Sequence, residues 1–378
     1  MPENAKKPQI RFKGFTDAWE QRKLEKLCSE FKSGESIKNE NIKETGSYPV
    51  YGGNGLRGYT ETYNHNGNFA LIGRQGALCG NMNYSSGKAY FTEHAIAVAA
   101  NAENCTQFLF YLLQLMNLGQ YSDQSAQPGL AVNKLTKLET LVPLKKEQKK
   151  IRKIFNNLDN LITLHQRKLD KLKNIKKSML EKMFPKNGSN VPEIRFKGFT
   201  DAWEQRKLGC LVTDTIDNRG KNPPYYCESG IPIIDNFMIK NSGYPDLSTA
   251  TRYIDEFLFE KFIRKYNEVD DTLITLVGNG IGQIALFPKE KSAIIQNTLG
   301  LRFSENKIFM YYTLLSKYSV IIKLDRGMAQ PSIRQDELKD IDLNIPKIKE
   351  QSLIGMFFHK IDNLITLHQR ECFLHKEV

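Results

Sequence analysis

A near-verbatim internal repeat constrains this chain more than any other feature. Residues 8–24 read PQIRFKGFTDAWEQRKL and residues 192–208 read PEIRFKGFTDAWEQRKL, differing only at Gln9 and Glu193. A second block, DNLITLHQR, runs from Asp159 to Arg167 and again from Asp362 to Arg370. The copies are 184 residues apart at the first block and 203 at the second, so the second insert is 19 residues longer. The inserts largely differ, apart from echoes of Ala126-Gln127-Pro128 in Ala329-Gln330-Pro331 and of Pro143 in Pro346. Diverged copies of one domain in a constant frame, with the length change absorbed in loops, amount to one scaffold presenting two different heads. Two heads suit a target that is itself bipartite, and DNA is the leading candidate.

Local pattern predicts mixed α and β structure in each insert. Phe69–Ile72 and Thr272–Val277 are apolar, β-prone runs leading into glycine turns, Gly73-Arg74-Gln75-Gly76 and Gly278-Asn279-Gly280-Ile281-Gly282. Phe108–Leu113 and Tyr311–Leu315 predict short helices, and Tyr51–Gly55 and Gly220–Pro224 predict loops. The segment after each insert is helical. In the first copy Ile151, Leu158, His165, Leu172 and Met179 recur every seven residues. Ile154, Leu161 and Ile175 fall at the second seam position, with Phe155, Ile162 and Leu169 beside it. Heptads that meet no proline before Pro185 predict a helix from about Lys145 to Phe184, ~60 Å long at about 1.5 Å per residue. The second copy repeats the seam with Ile354, Phe357, Phe358, Ile361, Leu364, Ile365 and His368. Two seams in one chain bury each other most simply as an antiparallel coiled coil. The expected fold class is therefore α+β with a pseudo-two-fold internal repeat. Mixed α/β domains at 8–143 and 192–346 are each followed by a conserved helix, at 144–186 and, shorter, at 347–378.

The net charge of +12 favours a polyanionic partner. Lys145–Lys186 alone holds 14 lysines and arginines against four acidic residues, so this helix is either a solvated coiled-coil exterior or a stripe facing phosphates or a partner. Six scattered cysteines with no CxxC indicate neither a zinc knuckle nor a disulfide framework. No apolar run approaches the ~20 residues of a membrane span, and the opening MPENAKKPQ lacks a signal-peptide core. A cytoplasmic protein with no membrane partner is expected.

Catalytic chemistry is sparse. Asn222-Pro223-Pro224-Tyr225 is the tetrapeptide with which N6-adenine methyltransferases hold a flipped base, and it carries the competing enzyme reading. In those enzymes it ends a buried strand, whereas here polar, turn-like Asp217–Lys221 precedes it. A cofactor-binding glycine turn also needs a following helix, yet Gln283–Pro288 after Gly282 reads as another strand. No GxxxxGK[ST] occurs, so ATP-driven translocation is not encoded, and no HExxH or other metal-ligand spacing appears. His165 and His368 are equivalent seam residues, expected to set register and not to ligate metal.

What remains is a binding surface. Arg, Lys, Asn and Gln carry the donors and acceptors that match base edges. The inserts concentrate them at glycine turns and loops: Asn54, Arg57, Arg74, Gln75 and Asn81 in the first, and Arg219, Lys221, Asn236, Asn279, Gln283, Arg326 and Gln330 in the second. A third possibility, a coiled-coil adaptor without DNA contact, predicts no sequence-dependent DNA binding.

The RFKGFTDAWEQRKL block opening a variable domain and the LITLHQRKLDKLKNIKKSMLEKMFP helix closing it resemble the specificity subunit of bacterial type I restriction-modification systems. The resemblance implies two target recognition domains, each reading half of a split double-stranded DNA sequence, spaced by antiparallel conserved helices. It implies two modification (methyltransferase) subunits and restriction (endonuclease/translocase) subunits as partners. S-adenosylmethionine, ATP and Mg²⁺ would then act on those partners and no cofactor on this chain. After Arg370 the second copy reads only ECFLHKEV, shorter than the first copy's continuation. The seam from about Leu172 to Met183 is therefore expected to lack a partner of matching length.

Overall fold

Both copies of the repeated block fold the same way. Glu20–Lys23 pairs antiparallel with Glu139–Val142, Glu20 opposite Val142, and Glu204–Lys207 pairs with Asp342–Ile345, Glu204 opposite Ile345. The repeated EQRK is thus a strand that staples the start of each insert to its end, just ahead of a long helix. The repeated arginine makes a second staple. Arg11 donates from Nε and Nη2 to the Glu147 carboxylate at 2.7 Å each, and Arg195 does the same to Glu350 at 2.7 and 2.8 Å. Both glutamates are buried in the first turn of their helix. The glutamine that follows each one donates to a proline carbonyl, Gln148 to Pro143 and Gln351 to Pro346, at 2.9 Å. The same amides accept the backbone N–H of Cys105 or Asn306, which lead into the insert's main helix. The recurrence of Glu-Gln at 147–148 and 350–351 was too short a signal to stand out in the sequence.

This computed structural model describes residues 7–122, 128–186, 188–220, 222–295, 297–326 and 330–377. They form two units, Met1–Leu161 and Ile162–Val378. The division falls inside the first long helix, Lys145–Lys182.

In the first unit a six-stranded sheet has Cys28–Ser33, Ala95–Ala100, His65–Gly73, Met82–Phe91, Tyr48–Gly52 and Gly55–Thr60 side by side. Helix Thr106–Leu115 covers it. Phe108, Leu109, Leu112 and Leu113, one face at helical spacing, pack on Ala70, Ile72, Ile96 and Val98. In the second unit the sheet has four strands: Val212–Ile216, Thr298–Phe303, Thr272–Thr275 and Ile284–Leu286. Helix Lys307–Ser316 covers it, with Phe309, Met310, Tyr311, Tyr312 and Leu314 fully buried.

Within the second unit the C-terminal half of Lys145–Lys182 lies antiparallel to helix Ile348–Glu377. Lys176 Nζ is 2.6 Å from Asp362, His165 meets His368, and Phe184 lies 6.0 Å from Phe358 between ring centres. This order corrects the expectation drawn from the short tail. Ile175 and Met179 pack on a core that includes Phe358 and Ile361 of the second helix, well before its end, and Leu172 is half-buried. An antiparallel pair matches the last turns of one helix with the first turns of the other.

The seam also shifts from its heptad reading. Ile162, His165, Leu169 and Leu172 line it on the first helix, with Met183 just past its end, and Ile354, Phe358, Ile361, Ile365, His368 and Cys372 on the second. Ile151 packs on the first unit's core and Leu158 is half-buried. Leu161 and its equivalent Leu364 are 40% and 45% exposed, with Leu164 and Leu367 beside them. A helix of 3.6 residues per turn drifts about 20° per heptad against a 3.5 repeat, so a strict heptad misassigns positions along a long helix. No helix among the described residues is long and apolar enough to cross a membrane.

Candidate nucleic-acid interface

The glycine turns after the interior strands His65–Gly73 and Thr272–Thr275 share one backbone design. In the first, N–H groups of Cys79, Gly80 and Asn81 donate to the carbonyls of Gly76, Gly73 and Leu78 at 3.0, 2.8 and 3.0 Å. In the second, Ile281, Gly282 and Gln283 donate to Gly278, Thr275 and Gly280 at 3.1, 2.8 and 3.2 Å. A distant segment crosses each turn in the same way. Gly76 N–H donates to Pro128 O and Gly278 N–H to Pro331 O, both at 3.0 Å, while Leu130 and Ile333 return bonds to Arg74 O and Leu276 O. Gly76 and Gly278 have φ of +88° and +90°, a left-handed conformation that favours glycine. The turns therefore correspond residue for residue: Arg74 with Leu276, Gln75 with Val277, and Asn81 with Gln283. The first unit carries a polar pair at these positions, with Gln75 exposed, whereas in the second Leu276 is buried in the core and Val277 is half-buried.

In the first unit the structure gathers several of the expected residues. A Cβ on Gly73 would lie 2.3 Å from Gly53 O, and one on Gly53 would lie 3.1 Å from His94 O and 3.4 Å from Gln75 O. The Gly53-Asn54 turn therefore packs backbone to backbone on the Gly73–Gly76 turn. Asn54, Gln75 and Asn81 are exposed there and Arg74 is half-buried. Gln75 Oε1 meets His94 Nδ1 at 3.0 Å, which adds to the cluster a histidine that no sequence pattern marked. Arg57 lies beside this cluster, its side chain against Gly52, and donates to Asn39 Oδ1 at 3.1 Å.

In the second unit Asn279, Gln283 and Gln330 surround the matching turn, Asn279 and Gln330 exposed and Gln283 half-buried. Three other expected residues hold partners within the domain, Asn236 and Arg219 half-buried and Arg326 exposed. Asn236 donates to Val277 O at 2.9 Å and accepts from Thr298 Oγ1 at 3.2 Å, so its amide braces the turn. Arg219 forks onto Asp217 at 2.9 and 2.5 Å. That hydrogen bond holds the Asp217 carboxyl below its ordinary range and raises the guanidinium above its own. Arg326 pairs with Glu337. A bidentate base contact needs donors and acceptors that are not already occupied. Lys221 lies outside the described residues. Exposed Phe237 and Tyr226 were not singled out by the sequence, Tyr226 lying under Arg252 at 4.9 Å.

Asn222-Pro223-Pro224-Tyr225 lies in an irregular segment, with Asn222 exposed and Tyr225 52% exposed. Gly278–Gly282 connects two antiparallel strands of one hairpin. Neither element has the strand–turn–helix setting of a nucleotide site.

The chain matches the family model for the type I restriction modification DNA specificity domain twice, over residues 16–174 and 202–372. It belongs to the type I restriction-modification DNA specificity family. This specificity-family chain is 47% identical over 108 residues to the EcoprrI specificity subunit of Escherichia coli, covering 28% of this chain and 27% of that protein. It is 28% identical over 233 residues to the MjaVIII specificity subunit of Methanocaldococcus jannaschii, covering 57% of this chain and 53% of that one. The matches thus span from about a quarter to about half the length of these relatives. The crystal structure of the type I restriction-modification S subunit from M. genitalium matches with a TM-score of 0.73 at 15% identity, over 98% of this chain and 96% of that one. At that identity the likeness establishes the shared fold.

Proposed function

We propose that this chain is the DNA sequence-recognition subunit of a type I restriction-modification complex. Each unit is a target recognition domain reading one half of a split double-stranded site, the first within 8–143 and the second within 192–346. The observation that carries the proposal is the shared turn. The same backbone hydrogen-bond pattern carries half-buried Arg74 and exposed Gln75 in one unit but buried Leu276 and half-buried Val277 in the other, so the two heads differ at equivalent positions, as different specificities require. The first cluster, Asn54, Arg74, Gln75, Asn81 and His94, supplies major-groove donors and acceptors. Asn279, Gln283 and Gln330 do so in the second, and Arg57, Arg219, Asn236 and Arg326 position loops.

The chain is non-catalytic by itself in this reading. Two methyltransferase subunits carry S-adenosylmethionine and restriction subunits carry ATP and Mg²⁺, all in the cytoplasm. The basic helix Lys145–Lys182 supplies a surface for phosphates or for these partners. The adenine methyltransferase alternative fails on the exposed, strandless setting of Asn222.

Replacing residues 24–143 with another family member's insert tests the proposal. Methylome sequencing should show one half of the modified site changed and the other retained. A change in both halves together refutes the two-head reading.

A further inference from the structure

The two copies of the repeated DNLITLHQR block meet at their histidines. His165 and His368 are equivalent residues, and their Nδ1 atoms lie 3.0 Å apart. Glu371, one turn beyond His368, places Oε2 at 2.7 Å from His165 Nδ1 and 3.2 Å from His368 Nδ1. The imidazoles are 15% and 14% exposed and the carboxylate 35%. Buried Leu169 and Cys372 lie a turn away along the two helices.

With the carboxylate ionised, these three contacts close a triangle that no placement of protons on the imidazoles satisfies. Every edge needs a donor on one atom and a lone pair on the other. A neutral imidazole nitrogen offers one N–H or one lone pair, and a carboxylate only accepts. With a proton on both Nδ1 atoms, two donors face each other across 3.0 Å. With a proton on one, the other Nδ1 turns a lone pair toward the carboxylate. A cation at the centre takes a lone pair from all three atoms at once. Tetrahedral zinc, bonded at about 2.0–2.2 Å to imidazole nitrogen and carboxylate oxygen, holds its ligand atoms roughly 3.3 Å apart. The observed edges of 2.7–3.2 Å reach that spacing when they lengthen by about 0.1–0.6 Å. Two imidazoles and a carboxylate are a ligand set suited to Zn²⁺.

We propose that His165, His368 and Glu371 form a zinc site, completed by water, that fastens the two repeat helices to each other in register. This replaces the expectation that both histidines serve only as polar seam residues. A metal at this point joins segments 203 residues apart in sequence and holds equivalent positions of the two copies together. The inference stands independently of which DNA bases the units read.

Zinc titration of the untagged, metal-stripped full chain tests it. One equivalent should bind per chain and raise the melting temperature, because an ion that binds only the folded state stabilises it. His165→Ala, His368→Ala and Glu371→Gln should each weaken binding at least tenfold while far-ultraviolet circular dichroism stays unchanged. Should a variant lose helical signal, zinc-edge X-ray absorption of the unaltered chain decides, and two imidazole ligands are expected. Absence of one-to-one binding, equal binding by the three variants, or a spectrum without two imidazoles overturns the proposal.

Discussion

Arg195→Met isolates the staple that ties the second repeated block to its long helix. Glu350 is 1% exposed, and Arg195 Nε and Nη2 hold its two oxygens at 2.7 and 2.8 Å. Methionine keeps most of the side-chain volume and removes the cation. Leaving one member of a buried pair without its partner costs about 3–5 kcal/mol. Arg195 is itself 12% exposed, so water reaches part of the vacated space, and the lower end of that range applies. About 3 kcal/mol is roughly 150-fold in the unfolding equilibrium. Arg195→Met/Glu350→Leu removes the stranded charge, and replacing a buried pair by apolar groups of similar volume is close to neutral. The double variant should therefore recover most of the loss. Trp203 reports on this unit, since it is buried against Phe184 and Phe309 with ring centres 6.0 Å away. The chain has two tryptophans, so a Trp19→Phe background makes urea unfolding followed by fluorescence specific to the second unit. A single-variant loss below about 1 kcal/mol, or a double variant no more stable than the single, would refute the argument that an orphaned carboxylate sets the cost.

Arg74→Ala should cost about 1–3 kcal/mol of specific DNA affinity and relax one position of the first half-site if the guanidinium makes a bidentate guanine contact. Binding measured against a panel of base-substituted sites decides: equal weakening on every sequence makes Arg74 a phosphate contact, and no weakening removes it from the interface. Two glycines of the same turn should respond differently to alanine. Gly76→Ala should cost about 1–2 kcal/mol from its left-handed backbone alone, because nothing lies within 4 Å of the new Cβ. Gly73→Ala should cost more, because its Cβ would sit 2.3 Å from Gly53 O. Urea unfolding that ranks the two in the opposite order would contradict the close packing of the turns.

Much of the architecture is written locally. The duplicated frame announces two copies of one fold, and the heptads from Lys145 predict a helix that the structure ends at Lys182. Apolar runs at Phe69–Ile72 and Thr272–Val277 place the interior strands and the glycine turns after them. Alternation, helical spacing and glycine are properties of neighbouring residues, so a single sequence displays them. Other features depend on partners far along the chain. Arg74 corresponds to Leu276 because Pro128 and Pro331 cross the two turns alike, a match that the 203-residue offset of the closing helices misplaces by one. Asn236 and Arg219 look like free readers in a polar loop, yet Val277 O and Asp217 occupy their donors. Leu161 and Leu364 satisfy the heptad and still face outward, since the pairing of two rigid helices selects which stripe is covered. Periodicity and residue type specify which faces can be buried. Only the folded chain decides which donors are already taken, because a hydrogen bond or a packed face requires two groups to arrive at one place, and their sequence separation carries no record of that meeting.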